Sequence, residues 1–264
     1  MMKNTTMKKV SILMLTYNAP AFVKHSIKTL KEFTDVNVDP SENGYSYELI
    51  VYDNCSEQKT KDVLKHLDRK GMIDSLVFSD QNYYFVAGNN KAFEYAAPES
   101  DYILLLNSDI EIRNSQWLSG MLKAHKRGIT ACQVCSETDY RPDGWCLLVD
   151  KDLYEQFRLD EERFTWFGSI ADFASRVMKA GYSVQTIRNY GEFIRHFGGS
   201  SEIRSDIAKA SQQDSAGIDS WFPHKCEVVE SIDLSNGKAY KSSSFECINV
   251  FYKVKKRMKR MMSK

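Results

Sequence analysis

Tyr102-Ile103-Leu104-Leu105-Leu106-Asn107-Ser108-Asp109 decides the reading of the fold. The apolar run is too short for a free-standing helix and suits a strand buried on both faces. It stops in a polar triplet whose last member is a carboxylate. Working outward, the same design recurs. Val10-Ser11-Ile12-Leu13-Met14-Leu15 is nearly all apolar and leads into Thr16-Tyr17-Asn18. Pro20 then marks a helix start, with Phe22, Ile27, Leu30 and Phe33 at roughly helical spacing. Leu49-Ile50-Val51-Tyr52 reads as a second buried strand ending in Asp53-Asn54. Ser56 is the candidate N-cap of a helix reaching about Lys70. Leu76-Val77-Phe78 reads as a third strand. Residues 34–47 read as a surface loop, with Pro40, Asn43 and Gly44. Residues 82–90 read as an irregular stretch leading into a helix through Phe93 and Tyr95. A helix is expected over 116–127.

Strand, polar loop and helix thus alternate four times, the pattern of a mixed, mostly parallel α/β sheet flanked by helices. Such sheets bind ligands at the carboxyl ends of their strands. Here those ends carry Thr16-Tyr17-Asn18, Asp53-Asn54 and Asn107-Ser108-Asp109. The second half is less regular. Strands are expected over 129–134, 145–149, 183–187 and 193–195, and a helix over 170–180 that stops at Gly181.

Composition narrows the class. The chain has 264 residues, 42% hydrophobic and 27% charged, which excludes a disordered or multi-span membrane protein. No apolar run reaches the roughly 18 residues of a membrane helix, and no signal peptide is read at the start. The six cysteines are irregularly spaced. That spacing points to a reducing, cytoplasmic location rather than a disulfide framework. The net charge of +1 hides an asymmetry. Lys253, Lys255, Lys256, Arg257, Lys259, Arg260 and Lys264 stand without an acidic residue, so removing their +7 leaves −6 for residues 1–252.

Several chemistries are absent from the sequence. No G-x-G-x-x-G follows the first strand, and there is no Walker loop, G-x-S-x-G elbow or His-Glu-x-x-His. Cys132-x-x-Cys135 lacks a well-spaced second half, since His224 and Cys226 are poorly placed, and reads as two ordinary thiols. Asp109 remains the most informative carboxylate. At a strand end, helped by diphosphate oxygens, one carboxylate can hold Mg²⁺ or Mn²⁺ without an all-protein cage.

These motifs, taken in order, resemble the inverting family-2 glycosyltransferases of the GT-A fold, with the bacterial rhamnosyltransferase-like enzymes as the closest subgroup. Thr16-Tyr17-Asn18 resembles the end of that family's first strand. Asp53-Asn54-Cys55-Ser56 matches Asp-Asn-x-Ser at the end of its second. Asn82-Tyr83-Tyr84-Phe85-Val86-Ala87-Gly88-Asn89-Asn90 resembles Asn-x-Gly-Phe-Ala-Gly-Gly-x-Asn. Leu105-Leu106-Asn107-Ser108-Asp109 with Trp117-Leu118 resembles the metal motif. Gly144-Trp145-Cys146-Leu147-Leu148, Asp160-Glu161, Arg176 with Ala180-Gly181-Tyr182, and His196-Phe197-Gly198-Gly199-Ser200 continue the likeness. It covers about residues 8–201 and implies a transferase domain over 1–201, followed by a C-terminal extension over 202–264.

The resemblance implies roles. Thr16, Tyr17, Asn18, Asp53, Asn54, Asn82, Gly88, Asn90 and Asn107 would border a nucleotide-sugar, with Tyr17 or Tyr52 against the base. Asp109 and His196 would hold the metal. The family's base lies in a Glu-Asp-x-Asp segment. Here Ser169-Ile170-Ala171-Asp172 stands in its place, keeping the final Asp172 alone. Three readings follow: Asp172 is the base, Asp160 or Glu161 supplies it, or the domain is catalytically silent and serves binding. The implied donor is a UDP- or dTDP-sugar. The implied acceptor is a glycan or lipid-linked glycan of surface polysaccharide synthesis. Residues 245–262 read as a basic amphipathic helix suited to an anionic membrane surface. Nucleic acid is not an expected partner.

Overall fold

The computed structural model describes residues 7–35, 44–133, 141–198 and 217–240. The apolar runs become strands of one eight-stranded sheet. β1 (Lys8–Thr16), β2 (Tyr45–Asp53), β3 (Ser75–Phe78) and β4 (Tyr102–Asn107) form one half. β6 (Gly128–Gln133), β7 (Pro142–Asp150), β8 (Ser183–Ile187) and β10 (Glu227–Val229) form the other. The spatial order is β10-β8-β6-β7-β4-β1-β2-β3. β7 is antiparallel to both its neighbours, and every other pairing in this sheet is parallel. A second, two-stranded sheet joins β5 (Ile110–Ile112) to β9 (Ile194–His196).

The continuous apolar runs are explained by burial on both faces. In β1, Ile12 and Met14 face one core and Leu13 the other. In β4, Leu104 and Leu106 face the first core, and Ile103 and Leu105 the second. The first core is covered by α1 (Pro20–Glu32), α2 (Gln58–Arg69) and α4 (Trp117–Ala124), which bury Ile27, Leu64 and Trp117. The second is covered by α3 (Tyr84–Phe93), α5 (Lys151–Phe157) and α6 (Ser169–Lys179), which bury Val86, Tyr154 and Phe173. The result is three layers, helices on a sheet on helices. No helix among the described residues is long and apolar enough to cross a membrane.

Several boundaries differ from expectation, each for a tertiary reason. β2 starts at Tyr45 rather than Leu49, because Tyr45 to Tyr47 pair with Lys8 to Val10. The stretch 82–90 is helical from Tyr84, although Gly88, Asn89 and Asn90 are poor helix formers. Asn54 fixes its start, accepting the Tyr83 amide (2.7 Å) and donating to the Tyr84 carbonyl (3.0 Å). Ser56 is not the cap of α2, a place taken by Glu57. Its hydroxyl accepts the Asn18 amide instead (2.7 Å). The helix expected to 127 ends at Ala124, because the His125 ring lies 2.9 Å from the Thr130 hydroxyl and 3.2 Å from Asp150.

Of the C-terminal extension, residues 217–240 carry a 3₁₀ turn (Ile218–Trp221) and β10, which extends the main sheet. This segment wraps the β8 edge. Cys226 joins the second core, Ile232 the first, and Ala239 bridges to Asn114. Cys135 and the basic segment 245–264 lie outside the described residues.

Candidate functional site

Parallel strands β1, β2 and β4 end together, and their loops build one edge. Thr16 and Asp53 are register partners at the ends of β1 and β2. The two loops clasp each other. The Asn54 amide donates to the Thr16 carbonyl (2.8 Å), and Asn18 Oδ1 accepts the Glu57 amide (2.8 Å). Asn18, Ala19, Cys55 and Tyr84 all adopt positive φ, between 55° and 62°. Such strain costs of order 1–3 kcal/mol per residue and gathers where a backbone is held for a ligand. Asn82 supports the strained Tyr84 by accepting its amide (2.8 Å).

Asp53 is fully buried. Its Oδ2 accepts the Ser56 amide (3.1 Å), while Oδ1 has no partner among the described residues, and neither has the buried Thr16 hydroxyl. Burial pushes the Asp53 carboxyl above its ordinary range, against the pull of the Ser56 hydrogen bonds and Lys61. An unsatisfied buried acceptor costs about 1–3 kcal/mol.

The β4 end supplies a second cluster. β5–β9 pairing sets Ile110 opposite His196 and so brings His196 to Asp109. His196 Nε2 lies 3.1 Å from Asp109 Oδ1 and 3.2 Å from the Asn107 amide nitrogen. The imidazole is stacked on Trp145, centroids 4.9 Å apart and planes 7° from parallel. The Asp109 carbonyl accepts the Phe197 amide (2.9 Å). Beneath the turn, the Ser26 hydroxyl lies 2.8 Å from the Ser108 and Ile110 carbonyls and accepts the Ile110 amide (3.0 Å). Glu111 is buried between His25 (2.9 Å) and Arg113 (3.1 Å). Its burial opposes ionisation, but those two hydrogen bonds hold its carboxyl below the ordinary glutamate range.

Asp109 and His196 offer a carboxylate oxygen and an imidazole nitrogen, a donor pair that suits Mn²⁺ and, less well, the oxygen-seeking Mg²⁺. No group of three or more His, Cys, Asp or Glu able to hold a metal occurs among the described residues.

The other expected residues lie in the following surroundings. Gly88 lets α3 approach β1, since a Cβ there would meet Leu15 Cδ1 at 2.8 Å. The Asn90 amide group is turned toward the 159–161 loop, donating to the Leu159 carbonyl (2.8 Å) and Glu161 (3.2 Å). Tyr17 is half-buried beside Asn18, and Tyr52 packs on Tyr95 at 6.4 Å. Asp172 lies in the first turn of α6 with both oxygens engaged: Oδ2 accepts from Arg176 (2.8 Å) and Oδ1 from Arg163 (3.2 Å). Arg176 also donates to the Arg158 and Phe157 carbonyls, so this carboxylate ties α6 to the preceding loop. Sequence reasoning missed Ser26, His25 and the stacking role of Trp145, whose only signals are single polar or aromatic residues in otherwise ordinary elements.

The glycosyl transferase family 2 model matches residues 11–177. Among solved structures, a mannosyltransferase from Pyrobaculum calidifontis, in complex with GDP-Man and Mn²⁺, matches with a TM-score of 0.54 at 16% identity. The match covers 68% of this chain and 54% of that one. GalNAc-T7 with UDP, GalNAc and Mn²⁺ matches with a TM-score of 0.53 at 8% identity, over 67% of this chain and 42% of that one. At such identities the likeness establishes the GT-A fold, and the chain spans about half the length of these structures. No curated protein matches. With the family model covering well over half of its length, the chain belongs to glycosyl transferase family 2.

Proposed function

We propose that this chain transfers a sugar from a nucleoside-diphosphate donor to a glycan or lipid-linked acceptor, with inversion, in surface polysaccharide synthesis. The observation that carries the reading is the Asp109–His196 pair, 3.1 Å apart, on the edge where Asp53 keeps a buried oxygen unpartnered. The carboxylate of Asp53 suits the N–H of a uracil or thymine, which favours UDP- or dTDP-sugars. Asn54 and Asn18 tie together the two loops at this edge. Asp109 and His196 would hold Mn²⁺ or Mg²⁺ together with diphosphate oxygens. A cation bound there supplies positive charge to the departing diphosphate. Trp145 stacks on the His196 ring, and the Asn107 amide nitrogen lies 3.2 Å from its Nε2. Residues 245–264 are proposed to dock the enzyme on the anionic inner face of the cytoplasmic membrane.

A titration of UDP-glucose, UDP-GlcNAc, dTDP-rhamnose and GDP-mannose with and without Mn²⁺ tests the reading by calorimetry. Wild-type protein is expected to bind at least one donor, with affinity enhanced by Mn²⁺. Asp109→Ala is expected to abolish that enhancement and to reduce transfer by about 100-fold or more. Absence of binding by the folded wild type would refute it. The second reading, a silent GT-A domain that binds without turnover, is favoured by Asp172: a carboxylate held by two guanidinium groups is poorly placed to accept a proton.

A further inference from the structure

We propose that residues 238–240 are a strap that positions the proposed metal pair, with Tyr240 as the positioning residue, a role that rests on the transferase reading above. Asp109 and His196 meet across the pairing of β5 with β9. Each of these strands has three residues. A two-stranded ribbon is marginal on its own, so its neighbours must hold it. One support is α1. The Ser26 hydroxyl accepts the Ile110 amide (3.0 Å), Thr29 Oγ1 accepts the Ile112 amide (3.2 Å), and His25 lies 2.9 Å from Glu111.

The other support is the late segment, outside the matched family region of 11–177. The Tyr240 amide donates to the Arg113 carbonyl (2.7 Å), and the Ser115 amide to the Lys238 carbonyl (3.1 Å). The Lys238 amide donates to the Ser115 hydroxyl (2.9 Å). Ala239 and Asn114 form an antiparallel bridge between these bonds. The strap thus pairs with residues 113–115, which directly continue β5. The Arg113 amide donates in turn to the carbonyl of Phe193, the residue before β9 (2.7 Å). Arg113 is therefore gripped from two sides, by the approach to β9 and by the strap.

The Tyr240 side chain carries this grip toward the pair. Its ring meets Phe33 edge-on, centroids 5.1 Å apart, and His25 edge-on at 6.3 Å. The His25 ring also packs on Phe197 at 6.1 Å. Phe197 follows His196 directly and donates its amide to the Asp109 carbonyl (2.9 Å). Tyr240, His25 and Phe197 form a continuous row of rings that ends on the backbone joining Asp109 to His196. Groups that orient metal ligands from outside typically change metal affinity by about 10–100-fold when removed.

The probes are UDP, dTDP and GDP, each titrated by calorimetry with and without Mn²⁺, beside the melting temperature of the full chain. The readout is the factor by which Mn²⁺ strengthens nucleotide binding. Tyr240 is half-buried, so Tyr240→Ala is expected to fold and to bind nucleotide without Mn²⁺ as the wild type does. It is expected to lose about 10-fold or more of the Mn²⁺ enhancement. Tyr240→Phe, which keeps the ring, is expected to retain the enhancement. Ile232→Ala is the control, because Ile232 anchors the same segment over Gly120 rather than along residues 113–115. It is expected to lower the melting temperature at least as far while leaving the enhancement intact. A Tyr240→Ala protein with the wild-type enhancement overturns the proposal, as does an enhancement that falls in step with melting temperature in both variants. A wild type that binds nucleotide without any Mn²⁺ enhancement overturns it together with the metal pair. A wild type that binds no nucleotide overturns it together with the transferase reading.

Discussion

Asp172 shows how much one residue's surroundings decide its chemistry. Its position in the first turn of α6 favours a negative charge through the helix dipole. The two guanidinium groups fix both oxygens. A base must instead hold its carboxylate open to the acceptor. Through Arg163 and Arg176, Asp172 ties the loop at 157–163 to α6. Asp172→Asn is expected to destabilise the protein by about 1.5–3 kcal/mol, the range for hydrogen bonds to charged groups. Chemical denaturation measures this, and an unchanged midpoint would show that the arginines find equivalent partners. Asp53 and Asp109 were legible in the sequence because each closes an apolar run, Asp53 directly and Asp109 after Asn107-Ser108.

At the level of elements, legibility followed burial. The runs at 10–15, 49–52 and 102–106 are buried on both faces, and their apolar continuity exposed them as strands. α6 was legible for the opposite reason, a single apolar face with Gly181 beyond its end. α3 was missed at its start because its first turns are held by Asn54 and by contact with Leu15, neither visible as a local propensity. β5 and β9 are three residues each, too short for any period to show. Yet this small sheet is what joins Asp109 to His196. The site was therefore legible as two separate sequence motifs, and its geometry belongs to a pairing between residues some 85 positions apart.

Across the whole molecule, two acid–histidine pairs besides Asp109–His196 contribute to the response to pH: Glu111 with His25, and Asp150 with His125. Both carboxyls are desolvated, yet their hydrogen bonds hold them below their ordinary values. A depressed native value means that the unfolded chain binds the proton more readily. The stability these pairs contribute is present above the ordinary values of 4.5 for Glu111 and 3.8 for Asp150, and is lost as pH falls through the native values. The melting temperature is expected to drop steeply in that acid range, and Glu111→Gln to flatten part of the drop; a parallel curve for that variant would assign acid unfolding elsewhere. The wrapped segment 217–240 has a different consequence. An open parallel edge at β8 would present unpaired backbone donors and acceptors to any other chain. β10 closes that edge, and Ile232 plugs the surface over Gly120. A chain cut after residue 201 would keep all of the matched family region and still present a sticky border. Light scattering is expected to find such a fragment self-associating where the full chain stays monodisperse, which makes the late segment the guard of the protein's colloidal stability.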